Sequence, residues 1–151
     1  MSQNVLPVVS PTHVAGELRP VLMKLNRELR RETTTFGVTG GQAALLGLIR
    51  RSPGIGVGEL AARERIAPAS ISVSVARLEK LGLVRRTADP LDRRRQALWV
   101  TDAGDRILRT VRTRRTAWLA ARLKRLPPEQ LAAVFEAIEP LAALLEEDAV
   151  A

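Results

Sequence analysis

The sequence predicts a mainly α-helical chain carrying one small β-hairpin, and three observations predict it. Apolar residues recur at three- and four-residue steps along most of the 151 residues. Leu83 to Ala88 and Gln96 to Thr101 change to strand-capable sequence, with a cluster of turn formers between them. A short helix, a turn and a second helix stand immediately before that hairpin.

Met1 to Pro11 reads as a flexible tail. It has no basic stretch followed by an apolar core, so it does not read as a signal peptide. From about Thr12, Leu18, Leu22, Leu25 and Leu29 line one face of a first helix, and Gly37 closes that region. Thr39 and Gln42 have capping-box spacing, which starts a second helix running to about Arg51 before Ser52-Pro53-Gly54 stops it. Ile55 to Val57 can form a very short strand, Gly58 to Glu64 a short helix, and Arg65 to Ala67 a turn. Pro68 suits the first turn of the next helix, where its missing N–H costs nothing. Ile71, Val75 and Leu78 form that helix's inner face, and Gly82 is a natural residue to end it. Asp89 to Arg95 make the long tip of the hairpin. Thr101 can cap a long helix to about Lys124, with Ile107, Leu108, Val111, Trp118 and Leu119 spaced for burial. After Pro127-Pro128 a last helix carries the stripe Leu131, Phe135, Ile138, Leu141 and Leu145. The middle of the chain is therefore a helix-turn-helix followed by a two-stranded wing.

Composition narrows the chemistry. A chain of this length buries roughly two-thirds of its unfolded surface, so its core needs no disulfide or metal. The absence of cysteine removes disulfide scaffolds, thiolate zinc sites and cysteine redox sensing, and fits a cytoplasmic protein. No stretch approaches ~18 uninterrupted apolar residues, so no membrane span is expected. Lys and Arg number 24 against 16 acidic residues, a net charge of +8 with a pI near 11.4. That balance favours polyanion partners, bound with salt-sensitive affinity. Arginines dominate Arg85 to Arg125, whereas Glu146, Glu147 and Asp148 collect near the C-terminal end. Two Phe, two Trp and no Tyr supply little base stacking, which argues against single-strand binding. There is no nucleophile–base set, no phosphate-cradling loop and no metal-spaced cluster, so neither an enzyme nor a cofactor is expected.

The stretch Gly82-Leu83-Val84, then Asp89-Pro90-Leu91-Asp92-Arg93-Arg94, then Leu98-Trp99-Val100-Thr101-Asp102-Ala103-Gly104 resembles the wing signature of the MarR family of transcriptional regulators. Gly58-Glu59-Leu60-Ala61 and Arg77-Leu78-Glu79 match as well, and the resemblance covers nearly all the chain from Thr12. It implies a winged helix-turn-helix lobe over residues 37–101, with a helical dimerisation region over 12–36 and 102–151. It also implies an obligate homodimer on palindromic double-stranded DNA, commonly a repressor relieved by a small lipophilic or phenolic effector. A constitutive architectural DNA-binding protein without ligand control is the alternative reading.

On a helical wheel, Ala69, Val73, Ala76 and Lys80 lie opposite the inner face, flanked by Ser70, Ser72 and Arg77. Such a helix lies in the major groove with its N-terminal residues, from Pro68 on, nearest the base edges. Ser70 and Ser72 discriminate bases weakly, while Ala69 and Val73 can meet thymine methyls. Many relatives carry Arg where this chain has Val73, so less direct guanine readout is expected; Val73 can also simply pack. Arg93, Arg94 and Arg95 at the hairpin tip can enter a narrow, electronegative minor groove. The resemblance makes Arg94 the minor-groove residue, with Arg93 or Arg95 on phosphates and Asp92 pairing with a nearby Arg.

The first and last helices carry apolar stripes with no evident partner inside a small winged domain, and pairing across a two-fold axis supplies one. In the family, ligands bind between the dimerisation helices and the DNA-binding lobe. The matching positions are Leu22, Leu25, Leu45, Leu48, Ile107 and Val111, all of which also read as ordinary core residues. Arg86 resembles a position that meets anionic ligands, and it can equally contact phosphate. His13 is the only histidine and cannot build a metal site alone.

Overall fold

The computed structural model describes residues 9–92 and 94–146. The chain divides into two compact units, residues 1–115 and 116–151.

In the first unit, α1 (Pro11–Arg31) starts one residue before the expected Thr12, with Pro11 in its first turn; residues 1–8 of the expected tail lie outside the described residues. None of its side chains is fully buried, and Val14, Val21, Leu22, Met23 and Leu25 are exposed. A 3-10 turn (Thr34–Phe36) and Gly37, at φ 75°, reverse the chain into α2 (Gly40–Arg51). Both capping-box bonds are present: Gln42 N–H donates to Thr39 Oγ1 at 3.1 Å, and Thr39 N–H to Gln42 Oε1 at 2.8 Å. Gly40 is required where α1 meets α2, since a Cβ there would sit 2.8 Å from Arg30 Cβ and Cγ.

The helix pair α3 (Val57–Glu64) and α4 (Pro68–Lys80) turns at Arg65, a left-handed residue at φ 51°. Ile71, Val75 and Leu78 of α4 are buried against Leu46 and Ile49 of α2 and Leu60 of α3, as their spacing predicts. Side chains of this kind contribute roughly 1.5–3 kcal/mol each when fully buried. A Schellman cap ends α4: Gly82 N–H donates to the Glu79 carbonyl at 2.8 Å and Leu83 N–H to the Leu78 carbonyl at 2.9 Å. The chain then enters the antiparallel pair β1 (Val84–Ala88) and β2 (Gln96–Val100), with Val84 opposite Val100 and Ala88 opposite Gln96. The short strand expected at Ile55 to Val57 is a single bridge, Gly56 to Ala97. It is nevertheless laced to β2, because Gly54 N–H donates to the Leu98 carbonyl and Leu98 N–H to the Ile55 carbonyl, both at 2.9 Å. Thr101 caps α5 (Asp102–Leu123), accepting from Gly104 N–H at 3.1 Å while its own hydroxyl donates to the Gly82 carbonyl at 2.6 Å. Val111 of α5 is buried, and Ile107 and Leu108 pack half-buried on the same core.

The second unit holds the end of α5, then α6 (Pro128–Glu136) and α7 (Ile138–Ala143). The sequence predicts one helix where two are found. Pro140 explains the break: it has no N–H for the Glu136 carbonyl, and its ring crowds that same group. Trp118 and Leu119 are half-buried, and the Arg122 guanidinium stacks 3.5 Å over the Trp118 ring. Leu131, Phe135, Ile138 and Leu145 are exposed, and Leu141 is half-buried. Glu147 and Asp148 lie outside the described residues. Among the described residues no helix is long and apolar enough to cross a membrane.

Candidate nucleic-acid interface

The buried stripe of α4 dictates which of its residues face outward. Pro68, Ala69, Ser70, Val73, Ala76, Arg77 and Lys80 are exposed, and Ser72 is half-buried. Val73 is 54% exposed, so it does not simply pack into the core. The outward surface from Pro68 to Val73 is small and uncharged.

The wing is anchored at its base and shaped at its tip. At the base, Trp99 Nε1 donates to Thr87 Oγ1 across the strands at 2.8 Å, and the Arg85 guanidinium lies 5.4 Å from the Trp99 ring centre. Gly54, at φ 81°, lies against the same ring: a Cβ would stand 3.3 Å from it. At the tip, Asp89 Oδ1 accepts from Leu91 N–H at 2.8 Å and Asp92 Oδ1 from Arg94 N–H at 3.0 Å. Asp89 N–H donates to the Arg95 carbonyl, and Arg95 N–H to the Asp92 carbonyl. Asp92 thus organises the tip through backbone amides. A short carboxylate two residues before an N–H closes this ring without ordering a long side chain. Arg94 and Arg95 are exposed beside these turns, while Arg93 lies outside the described residues.

Helix and wing meet along one cleft of about 390 Å³, lined by Ser72 of α4, Arg86, Arg94, Arg95 and Gln96 of the wing, and the start of α3 at Val57. Every charged residue on its wall is cationic. Arg86 is the constrained member: Nε donates to Glu79 Oε2 at 2.8 Å and Nη1 to Gln96 Oε1 at 3.4 Å. The half-buried Glu79–Arg86 pair ties the end of α4 to β1.

The expected effector positions do not share one cavity. Leu45 and Leu48 line a separate cleft between α2 and α4, which Arg77 borders. Leu22 lies in a shallow apolar groove on α1, Leu25 is exposed, and Ile107 and Val111 pack in the core. Arg86 belongs to the wing cleft. Sequence reasoning missed Glu79 and Gln96 as partners of Arg86. No local signal marks them, because the Gly82 turn brings Glu79 to Arg86, seven residues on, and the hairpin register brings Gln96 to it, ten residues on.

A helix-turn-helix whose second helix feeds directly into a two-stranded wing defines a winged-helix DNA-binding protein. The family model described as MarR family matches residues 36–95. An HTH-type transcriptional regulator of Mycobacterium tuberculosis is 30% identical over 138 residues, covering 91% of this chain and 96% of the relative. The HTH-type transcriptional repressor MdtR of Bacillus subtilis is 29% identical over 131 residues, covering 87% and 84%. A crystal structure described as that of a transcriptional regulator protein of Pseudomonas aeruginosa shares 30% identity with a TM-score of 0.81, covering 94% of this chain and all of the other. The chain belongs to the MarR family, and it is a DNA-binding transcriptional regulator.

Proposed function

We propose that this regulator is a homodimeric, cytoplasmic repressor of palindromic double-stranded DNA, released by a small lipophilic or phenolic effector. The observation that carries the DNA reading is the shared cleft, where Ser72 of α4 faces the same space as Arg94 and Arg95 of the wing. Residues 37–101 form the DNA-binding lobe. Its α4 enters the major groove with Pro68, Ala69, Ser70, Ser72 and Val73 toward base edges and Arg77 on the flanking backbone. Arg94 enters the minor groove, and Arg93 or Arg95 holds phosphate.

Repression is supported by MdtR, a relative named as a repressor. Dimerisation through residues 12–36 and 102–151 is supported by apolar side chains left in water on both: Leu22 is 45% exposed on α1, and Phe135 is 74% exposed on α6. An effector seat is supported by the α2–α4 cleft, whose apolar lining includes Leu45, Leu48, Ile66 and Ile71 and which Arg30, Glu64 and Arg77 border, a composition suited to a lipophilic molecule with a polar end. Leu22 and Leu25, both exposed on α1, are further effector contacts, whereas Ile107 and Val111 pack in the core of the chain itself. Arg86, which lines the wing cleft, meets an anionic group of the effector or a DNA phosphate.

The test is titration of wild type and Arg94→Ala on duplexes differing only in the flanks of each half-site, at fixed salt. Losing a charge-assisted hydrogen bond costs about 1.5–3 kcal/mol, roughly ten- to a hundredfold in affinity. That loss is expected on AT-rich flanks, with a smaller one on GC-rich flanks. Equal losses on both would refute the minor-groove role.

A further inference from the structure

We propose that five cations along α1, namely Arg19, Lys24, Arg27, Arg30 and Arg31, form a second DNA-backbone surface continuous with the flank of the recognition helix. They line one cleft of about 930 Å³, and no carboxylate lines it with them. Glu28 nearby is divided between Arg27 at 3.7 Å and Arg31 at 3.6 Å. Among the described residues, Arg19, Lys24 and Arg30 have no ion-pair partner.

The cleft is built, not merely charged. The Arg30 stem packs against Gly40 at the start of α2, which places this side chain at the α1–α2 junction. The capping box engages the Gln42 amide, and Gly40 and Gly41, the two residues before it, line the same cleft. Like charge accumulates behind it as well: burial first, and then the nearby Arg30, lower the pKa of Arg115.

Two features select a duplex backbone over a small anion. From Arg19 to Arg31 the helix advances by about 18 Å, twelve residues at 1.5 Å each. One DNA strand carries a charge roughly every 3.4 Å along the axis, so a row of phosphates matches that length where a single small anion cannot. The cleft is also contiguous with the recognition helix. Arg30 and Gly41 line the neighbouring cleft too, whose other wall holds Ser74 and Arg77 of α4.

The inference rests on α4 and the wing being the DNA surface, and its test separates the two. Wild type and Arg19→Gln/Lys24→Gln are titrated with one duplex selected by the wild-type protein, from about 50 to 200 mM KCl. Arg30 is left intact because it packs on Gly40. Losing two phosphate contacts should flatten the log–log salt slope by about 1.8, so the variant loses roughly twelvefold less affinity over that range. Arg109→Gln/Arg112→Gln, which removes the same net charge outside the cleft, should keep the wild-type slope. Sedimentation at each salt should give the same oligomeric state for all three proteins. An unchanged slope in Arg19→Gln/Lys24→Gln, with Arg94→Ala still weakening binding, overturns this inference alone. So does an equal flattening in the control, or an unchanged slope with a weakened dimer, which would assign the cleft to acidic residues of a second copy. If Arg94→Ala also leaves binding intact, the α4–wing reading falls with it.

Discussion

Gly104→Ala is the substitution that most directly tests how α5 is joined to the DNA-binding lobe. Gly104 sits in the first turn of α5, where Thr101 caps the helix and also bonds the Gly82 carbonyl at the end of α4. A Cβ at Gly104 would lie 2.4 Å from the Leu83 carbonyl oxygen and 2.6 Å from Val100 Cγ1. The first of these is backbone and is already the acceptor for Thr101 N–H at 3.0 Å, so it cannot rotate aside. Alanine would gain up to about 1 kcal/mol from helix propensity. Overpacking against backbone costs about 1–3 kcal/mol, and the fixed acceptor puts this site at the upper end. The net expectation is a loss of about 1–2 kcal/mol, read as a fall of about 2–8 °C in melting temperature. Because Leu83 leads directly into β1 and Val100 ends β2, DNA affinity should fall as well. Gly47→Ala in α2 is the matched control: its Cβ meets nothing closer than Arg51 Nη1 at 3.6 Å. It should raise stability by about 0.5–1 kcal/mol. Urea unfolding of both variants decides the matter. A Gly104→Ala protein as stable as wild type would refute the close-approach argument.

Val73→Arg should shift the preferred half-site toward guanine, because Val73 is exposed on α4 and Arg reads guanine bidentately. An unchanged binding-site preference counts against the docking of α4. Phe135→Ser should raise the dimer dissociation constant at least about tenfold in sedimentation, given the 1.5–3 kcal/mol of a buried aromatic. A variant as dimeric as wild type would remove α6 from the interface. Glu79→Gln should leave the fold intact and free Arg86, weakening DNA binding through a loosened tie between α4 and β1. Full affinity in that variant would show that the pair does not set the wing.

The parts legible in the sequence share a physical reason: their signals are local. Thr39 and Gln42 announce a cap, Pro68 and Gly82 bound the recognition helix, and Ile71, Val75 and Leu78 mark its buried face through spacing alone. The break before α7 was equally local, since Pro140 stands four residues after Glu136, yet the apolar stripe across it suggests one helix. What escaped the sequence depends on distance through space. The Glu79–Arg86 pair needs the left-handed Gly82 turn, and the Trp99–Thr87 bond needs the hairpin register. Asp92 spends its carboxylate on a backbone amide two residues on, which residue type alone does not distinguish from an ion pair. The basic cleft escaped for the same reason: α1 reads as an apolar stripe with scattered charges, until the α1–α2 junction at Gly40 gathers those charges on one wall.

The central claim is that two copies of this chain read a palindrome with α4 and the wing. Selecting genomic DNA on the full-length protein tests it most directly. The account predicts an inverted repeat with half-site centres about one helical turn, roughly 34–36 Å, apart, and AT-rich minor grooves where the wings fall. Recovered sites with no inverted symmetry, or with conservation confined to a single unrepeated half-site, would contradict it.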